Sequence, residues 1–227
     1  MNRVTLCAAA FSAVLAAVSA GCRRGQQAPA AAPPTAASSV RLSPLEQAEA
    51  LAEDVQTDLE QNAWPAAEAR LRELQRVGDQ LTGADANPPM RTAYRQAVDS
   101  LHATITRRSR YDALTAGNRV SRIVTGMMAT HPTKVPIAVA YMDVAGRDVL
   151  YAVQQDRWKS AAGPVRELAV RYSEVQAGVK ASNPALDQRV TEEIAQLQRA
   201  VSTRTRRGAS SLAQALLENV DRIEQVY

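Results

Sequence analysis

Cysteine is almost absent from this chain of 227 residues, which contains only Cys7 and Cys22. Both lie in the first 22 residues, so the remainder can form no disulfide and offers no thiol for catalysis. The sequence has no C-x-x-C-H motif, which excludes the usual covalent attachment of haem. The folded part must therefore be stabilised by its hydrophobic core alone.

Histidine and the common catalytic motifs are equally scarce. The only histidines are His102 and His131, and no G-x-S-x-G, H-E-x-x-H, Walker or dinucleotide-binding motif is present. A catalytic nucleophile needs a base beside it, and two isolated histidines are a poor supply. We therefore expect a protein that is not an enzyme and that carries neither a cofactor nor a metal.

A long hydrophobic run is also missing. Residues 4–20 are uncharged and rich in Ala, Val and Leu, but they are too few and too weakly apolar to predict a spanning helix. They follow the basic residue Arg3 and end in the small residues 19–21. A charged start, an apolar middle and small residues at the end are typical of a secretory signal peptide, which we assign to residues 1–21.

The small residues immediately before Cys22 resemble the lipobox of bacterial lipoproteins. The resemblance covers residues 1–22 only, and Ser19 stands where that family prefers Leu. It implies cleavage before Cys22 and lipidation of its thiol. Arg23 follows, where inner-membrane lipoproteins often carry Asp, so it implies an outer-membrane lipoprotein of the cell envelope that faces the periplasm. The alternative is a soluble secreted or periplasmic protein in which Cys22 has no role.

The segment 22–43 continues with Ala, Pro and Ser and predicts a disordered tether after the lipidated cysteine. The net charge of +4 belongs to these first residues, because from Pro44 onward 23 basic residues balance 23 acidic ones. A neutral domain is poor support for nucleic-acid binding, which we do not expect.

From Pro44 onward the sequence predicts an all-α protein. Apolar residues recur every three or four positions, and no hairpin signal appears. Helix starts are predicted at Ser43-Pro44, Asn87-Pro88 and Asn183-Pro184. Helix ends are predicted near Gly83, within residues 130–136 and near Gly178.

An internal duplication is predicted from two similar stretches, residues 61–74 and 155–168. Six of their fourteen positions are identical at a shift of 94, including Trp64 and Trp158, the only tryptophans. The repeats would be residues 44–131 and 132–227, packed as an antiparallel bundle of eight helices. Six helices would result if the chain did not break at 107–111 and 204–208.

Two arginine clusters occupy equivalent places in these repeats, in the sequences TRRSR and TRTRR. They could bind phosphate, lipid A or an acidic partner. Alternatively, they are exposed helix ends or connections whose arginines pair with nearby acids or compensate helix dipoles. The candidate binding residues are Arg107, Arg108, Arg110, Arg204, Arg206 and Arg207.

Three further features favour structural roles over functional ones. Trp64 and Trp158 could stack a ligand, but repetition favours packing at helix corners. Asp143 and Arg147 are spaced for an ion pair on a helix surface. Gly146 aligns with Ala52, which suggests a close helix crossing.

The remaining candidates are methionines and a histidine, whose thioether and imidazole groups are ligands that suit copper. They are Met127, Met128, His131 and Met142. Alternatively, the methionines fill gaps in a helical core, as Met commonly does.

Together these features predict a lipid-anchored interaction or scaffold module with an envelope protein partner. The alternative is a sensor that binds a small ligand or metal in the cleft between the halves, through Arg108, Arg204 or the methionine and histidine set.

Overall fold

The computed structural model describes residues 43–227, so the predictions for the signal peptide, Cys22 and the tether lie outside the described residues. The described part contains eight α-helices and no strand. They are α1 (Pro44–Glu60), α2 (Trp64–Gln80), α3 (Pro88–Thr106), α4 (Arg110–Met128), α5 (Ile137–Gln154), α6 (Trp158–Ser182), α7 (Pro184–Ser202) and α8 (Arg206–Glu224). The all-α prediction is confirmed with eight helices, and the six-helix alternative is wrong because the chain breaks at both expected places. Within 43–227 no helix is both long and apolar enough to cross a bilayer.

Three helices begin where the sequence predicts. Ser43 and Glu46 form a capping box, in which each side chain accepts a hydrogen bond from the backbone N–H of the other, at 3.2 and 2.7 Å. Asn87 and Asn183 each accept from the N–H three residues on. A proline follows each cap at the first helical position. Proline has no backbone N–H, and an N–H at that position would have no partner within the helix.

One predicted helix end is wrong. Helix α6 continues past Gly178 to Ser182. A Cβ atom at Gly178 would lie 2.5 Å from the Oη atom of Tyr227. This glycine therefore makes room for the C-terminal tyrosine and does not end the helix.

Four tight corners join α1 to α2, α3 to α4, α5 to α6 and α7 to α8. Each corner uses one residue in the left-handed region, which reverses the chain within three residues. The residues are Asn62 (φ 58°), Arg108 (φ 51°), Asp156 (φ 57°) and Arg204 (φ 55°). These four residues occupy corresponding places in the two halves, as an internal duplication would produce. The duplication itself stays a prediction.

The halves pack in the same order. Helix α1 contacts α2 and α4, and α3 contacts the same two; α5 and α7 each contact α6 and α8. Helix α4 also packs against α5, and a single cluster of buried apolar side chains runs through all eight helices. The described residues therefore share one core, which stabilises them without any disulfide.

Because successive helices run up and down, the four tight corners lie together. We call this the corner end, defined by residues 61–63, 107–109, 155–157 and 203–205. Ser43 begins α1 at the opposite end, and a helix of 17 residues places it about 25 Å from the corners.

Candidate functional site

Two of the six candidate arginines bind the ends of neighbouring helices. The guanidinium of Arg110 donates to the carbonyl oxygens of Leu59 and Glu60 at 3.4 and 2.8 Å. Arg206, the first residue of α8, donates to the carbonyl oxygen of Gln154. Both cations therefore satisfy last-turn carbonyl groups at the negative end of a helix dipole. The contacts of Arg110 and Arg206 therefore agree with the alternative in which these arginines compensate helix dipoles.

The other four candidate arginines are free at the corner end. Their side chains are exposed, and their guanidinium groups make no hydrogen bond or ion pair with any described residue. They are Arg107, Arg108, Arg204 and Arg207. We call them the free corner arginines. An exposed, unpaired guanidinium is available to a carboxylate or phosphate from outside the chain.

The two clusters converge, which the sequence period could not establish. Arg206 contacts the Asp156 carboxylate at 3.2 Å, so the α7–α8 corner lies against the α5–α6 corner. Arg157 in that same corner contacts Asp112 of α4 at 3.4 Å. The corner 155–157 thus bridges the arginine clusters of the two halves.

A cavity of about 570 Å³ beside this bridge is lined by three arginines and two aspartates, Asp112 and Asp148. Arg107 lines it together with Arg119 and Arg122. Arg122 is already neutralised by Asp148 at 2.8 Å and Glu167 at 2.9 Å. Arg107 and Arg119 are therefore the cations left free at this cavity.

The two tryptophans occupy matching corners. Trp64 and Trp158 are the first residues of α2 and α6, and each is partly buried against the core. Both tryptophans therefore pack at helix corners, as their repetition in the sequence favoured. Trp158 additionally lines a groove of about 390 Å³ whose rim carries Lys159, Arg166 and Arg204.

A second cavity, of about 240 Å³, lies between the two halves and is lined by carboxylates. The Asp143–Arg147 ion pair at 3.0 Å faces this cavity, with side chains only 20% and 21% exposed. The prediction of the pair is confirmed. Its expected place on the surface is wrong, because side chains of α1, α4 and α8 line the cavity around it. The other charged residues that line the cavity are Glu49, Glu53, Asp221 and Glu224.

Burial beside this cavity shifts four acids towards their neutral forms. Burial, followed by repulsion from Glu53 and Glu224, raises the pKa of Glu49 from 4.5 to about 7. Burial also raises the pKa of the Asp143 carboxyl, although Arg147 acts in the opposite direction. The pKa values of Glu53 and Glu224 are raised chiefly by burial as well. These four carboxyl groups therefore hold protons more tightly than they would in water.

The copper candidates are divided between the core and the lining of a cavity. Met127 and Met142 are fully buried in the core, whereas Met128 and His131 line a cavity of about 720 Å³ that adjoins the acidic one. The Nε2 atom of His131 lies 3.3 Å from the carbonyl oxygen of Asp85. Within residues 43–227, no group of three or more His, Cys, Asp or Glu is placed to hold a metal ion.

Gly146 lies at a close helix crossing, as its alignment with Ala52 suggested. A Cβ atom there would lie 2.8 Å from Cδ2 of Leu217, so α5 and α8 approach closely. The equivalent Ala52 is buried in the first half.

No protein family, curated protein or solved structure matches this chain. What the chain does must therefore be inferred from the geometry of its own residues.

Sequence reasoning missed the groove beside Trp158 and the acidic lining between the halves. A local signal for the groove exists: Ala162 stands where the first half has Glu68, so a small side chain replaces a large one. The acidic lining has no comparable signal, because its residues come from α1, α5 and α8.

Proposed function

We propose that this chain is a lipid-anchored protein of the cell envelope whose helical bundle is a non-enzymatic interaction module. The bundle presents the free corner arginines to a negatively charged surface of an envelope protein partner. The anchor would be Cys22, and the segment that follows it would set the reach of the bundle.

One observation carries this proposal: the free corner arginines lie at the end of the bundle opposite Ser43. A chain tethered through its N-terminal segment would hold Ser43 nearest the membrane. The corner end would then be the end of the bundle farthest from the point where the tether joins it. Clustered cations at an exposed end attract and orient an acidic partner through their summed field.

Site-specific photocrosslinking in the host tests the surface. A photoreactive amino acid at position 107 or 207 should give a discrete adduct with another envelope protein. Positions 95 and 189 are matched controls, because Arg95 and Arg189 are also exposed and unpaired but lie on α3 and α7. Equal labelling at all four positions, or none at the corner end, would contradict the proposal.

The anchor is tested separately. Cys22→Ser should abolish lipidation and release the mature protein from the membrane fraction. A variant that is processed normally and still fractionates with membranes would show that Cys22 is not the anchor. This experiment does not depend on the arginine surface, so the two parts can fail independently.

A ligand sensor remains the alternative, and the cavities between the halves favour it by giving a small molecule space. Native mass spectrometry of the protein purified from its host would show an added mass or metal in that case. A bare chain would contradict the sensor.

A further inference from the structure

The groove beside Trp158 has an apolar floor. Val165 and Val201 form it with Trp158, and Ala162 leaves the space open because its side chain is small. The aligned residues of the first half are larger at two of these positions, with Glu68 for Ala162 and Leu71 for Val165. At about 390 Å³ the groove falls within the range of small-molecule sites, which is about 300–1,000 Å³.

The rim of the groove is cationic. Lys159, Arg166 and Arg204 line it, all three are exposed, and none makes a side-chain hydrogen bond or ion pair with a described residue. Most other lining residues are apolar, and no carboxylate is among them. The rim therefore carries three uncompensated positive charges around an apolar floor.

The start of α6 adds to this field. Trp158 is its first residue, and its N-cap, Arg157, makes no side-chain capping hydrogen bond. The first backbone N–H groups of a helix are positively polarised. Their partial charge has the same sign as the three rim cations and lies at the same edge of the groove.

We propose that this groove binds an anionic amphiphile, a molecule with a hydrocarbon chain and a carboxylate head. The chain would lie on Trp158, Val165 and Val201, and the head would be held by Arg166, Arg204 and Lys159. This site shares Arg204 with the acidic partner surface proposed above, its other residues are different, and it does not depend on the lipid anchor.

The lining favours an amphiphile over an acidic peptide segment. A bound peptide would bring a backbone N–H and C=O at every residue, and burying these without partners is unfavourable. The apolar floor offers them no partners; the only neutral polar side chains in the lining are Gln198 and Ser202. A hydrocarbon chain brings no such groups, and its single charged head meets the cationic rim.

Tryptophan fluorescence gives a direct test with decanoate as the probe. Residues 43–227 contain all eight helices and their shared core, so this fragment can be used. Trp64→Phe leaves Trp158 as the single reporter. Decanoate, kept below the concentration at which it self-associates, should change the Trp158 emission saturably, and decanol, with the same chain but no charge, should bind at least about tenfold more weakly.

Charge reversal supplies the decisive comparison. Arg166→Glu should weaken decanoate binding by about tenfold or more, because it replaces a charge-assisted hydrogen bond with repulsion. Arg72→Glu is the matched control, since Arg72 is the exposed, unpaired residue that aligns with Arg166 in the first half. Ala162→Glu should also abolish binding by filling the groove with the residue found in the first half.

Three results would overturn the proposal. They are the absence of saturable binding, equal binding of decanol and decanoate, and equal effects of Arg166→Glu and Arg72→Glu. If a variant loses helical circular dichroism, Arg166→Gln, which is uncharged at the same exposed site, replaces it and should weaken binding in the same direction. Failure here would leave the crosslinking result at positions 107 and 207 unaffected.

Discussion

Replacing Glu49 by Gln should stabilise the protein at alkaline pH. Glu49 faces the acidic cavity between the halves, where burial and the neighbouring Glu53 and Glu224 raise its pKa from 4.5 to about 7. The folded state therefore binds this proton more tightly than the unfolded chain does. It follows that the contribution of Glu49 to the free energy of unfolding falls as pH rises from about 4.5 to about 7, and stays low above that.

The size of the effect follows from the pKa difference. A rise from 4.5 to about 7 corresponds to about 3 kcal/mol at 1.36 kcal/mol for each unit of pKa. Because the Glu49 side chain is partly exposed, solvent screening reduces this to about 1–2 kcal/mol. Glutamine is neutral at every pH, so Glu49→Gln should be more stable than the wild type by about that amount at pH 8, and the difference should shrink towards pH 5.

Urea unfolding, followed by tryptophan fluorescence at pH values from 5 to 8, measures this difference. Asp99→Asn is the control, because Asp99 is an exposed carboxylate of α3 with no hydrogen bond or ion pair to a described residue. The reasoning would be refuted if Glu49→Gln were no more stable than the wild type at pH 8. An equal advantage at pH 5 and pH 8 would also refute it, since the effect would then not depend on ionisation.

Three further variants test the packing of the described residues, each by urea unfolding. Gly146→Ala should lower the free energy of unfolding by about 1–3 kcal/mol, because its Cβ would lie 2.8 Å from Cδ2 of Leu217; an unchanged stability would mean that the Leu217 side chain moves aside easily. Arg108→Gly should raise it by about 1 kcal/mol, since glycine adopts φ 51° without strain, and a loss would show that the arginine side chain stabilises the corner. Asn118→Ala should lower it by about 2 kcal/mol, because this fully buried amide donates two hydrogen bonds to α5, and a change near zero would argue against both.

The helix starts could be predicted because their signals are local. The capping box of Ser43 and Glu46 and the caps at Asn87 and Asn183 each involve residues three apart. An N-cap needs only its own side chain and the next turn of backbone, so the sequence window contains the whole interaction. The same is true of the apolar stripes that predict helices facing a core.

The predictions that failed depended on distant partners. Gly178 was expected to end a helix, but Tyr227 occupies the space that its missing side chain leaves. The Asp143–Arg147 pair was expected on a surface, but α1 and α8 enclose it with other carboxylates. No window around either residue contains the partner that decides its role.

The candidate arginines show the same division. Six of them were candidates for a binding surface, with exposed helix ends as the alternative. The structure separates Arg110 and Arg206, which hold the ends of neighbouring helices, from the four that are free. Arg110 reaches a carbonyl group 50 residues away. Spacing along the chain cannot distinguish a guanidinium that completes a helix end from one that is open to a partner.

By itself, then, the sequence determined that residues 44–227 form helices, where three of them begin, and that their core would use no disulfide. These properties arise from periodicity and from contacts within a few residues. Only the tertiary structure decided which arginines are free, where the acidic cavity lies and that Trp158 borders a cationic groove. Those properties arise where helices from separate parts of the chain pack side by side, and packing sets both the partners of each charge and its exposure to water.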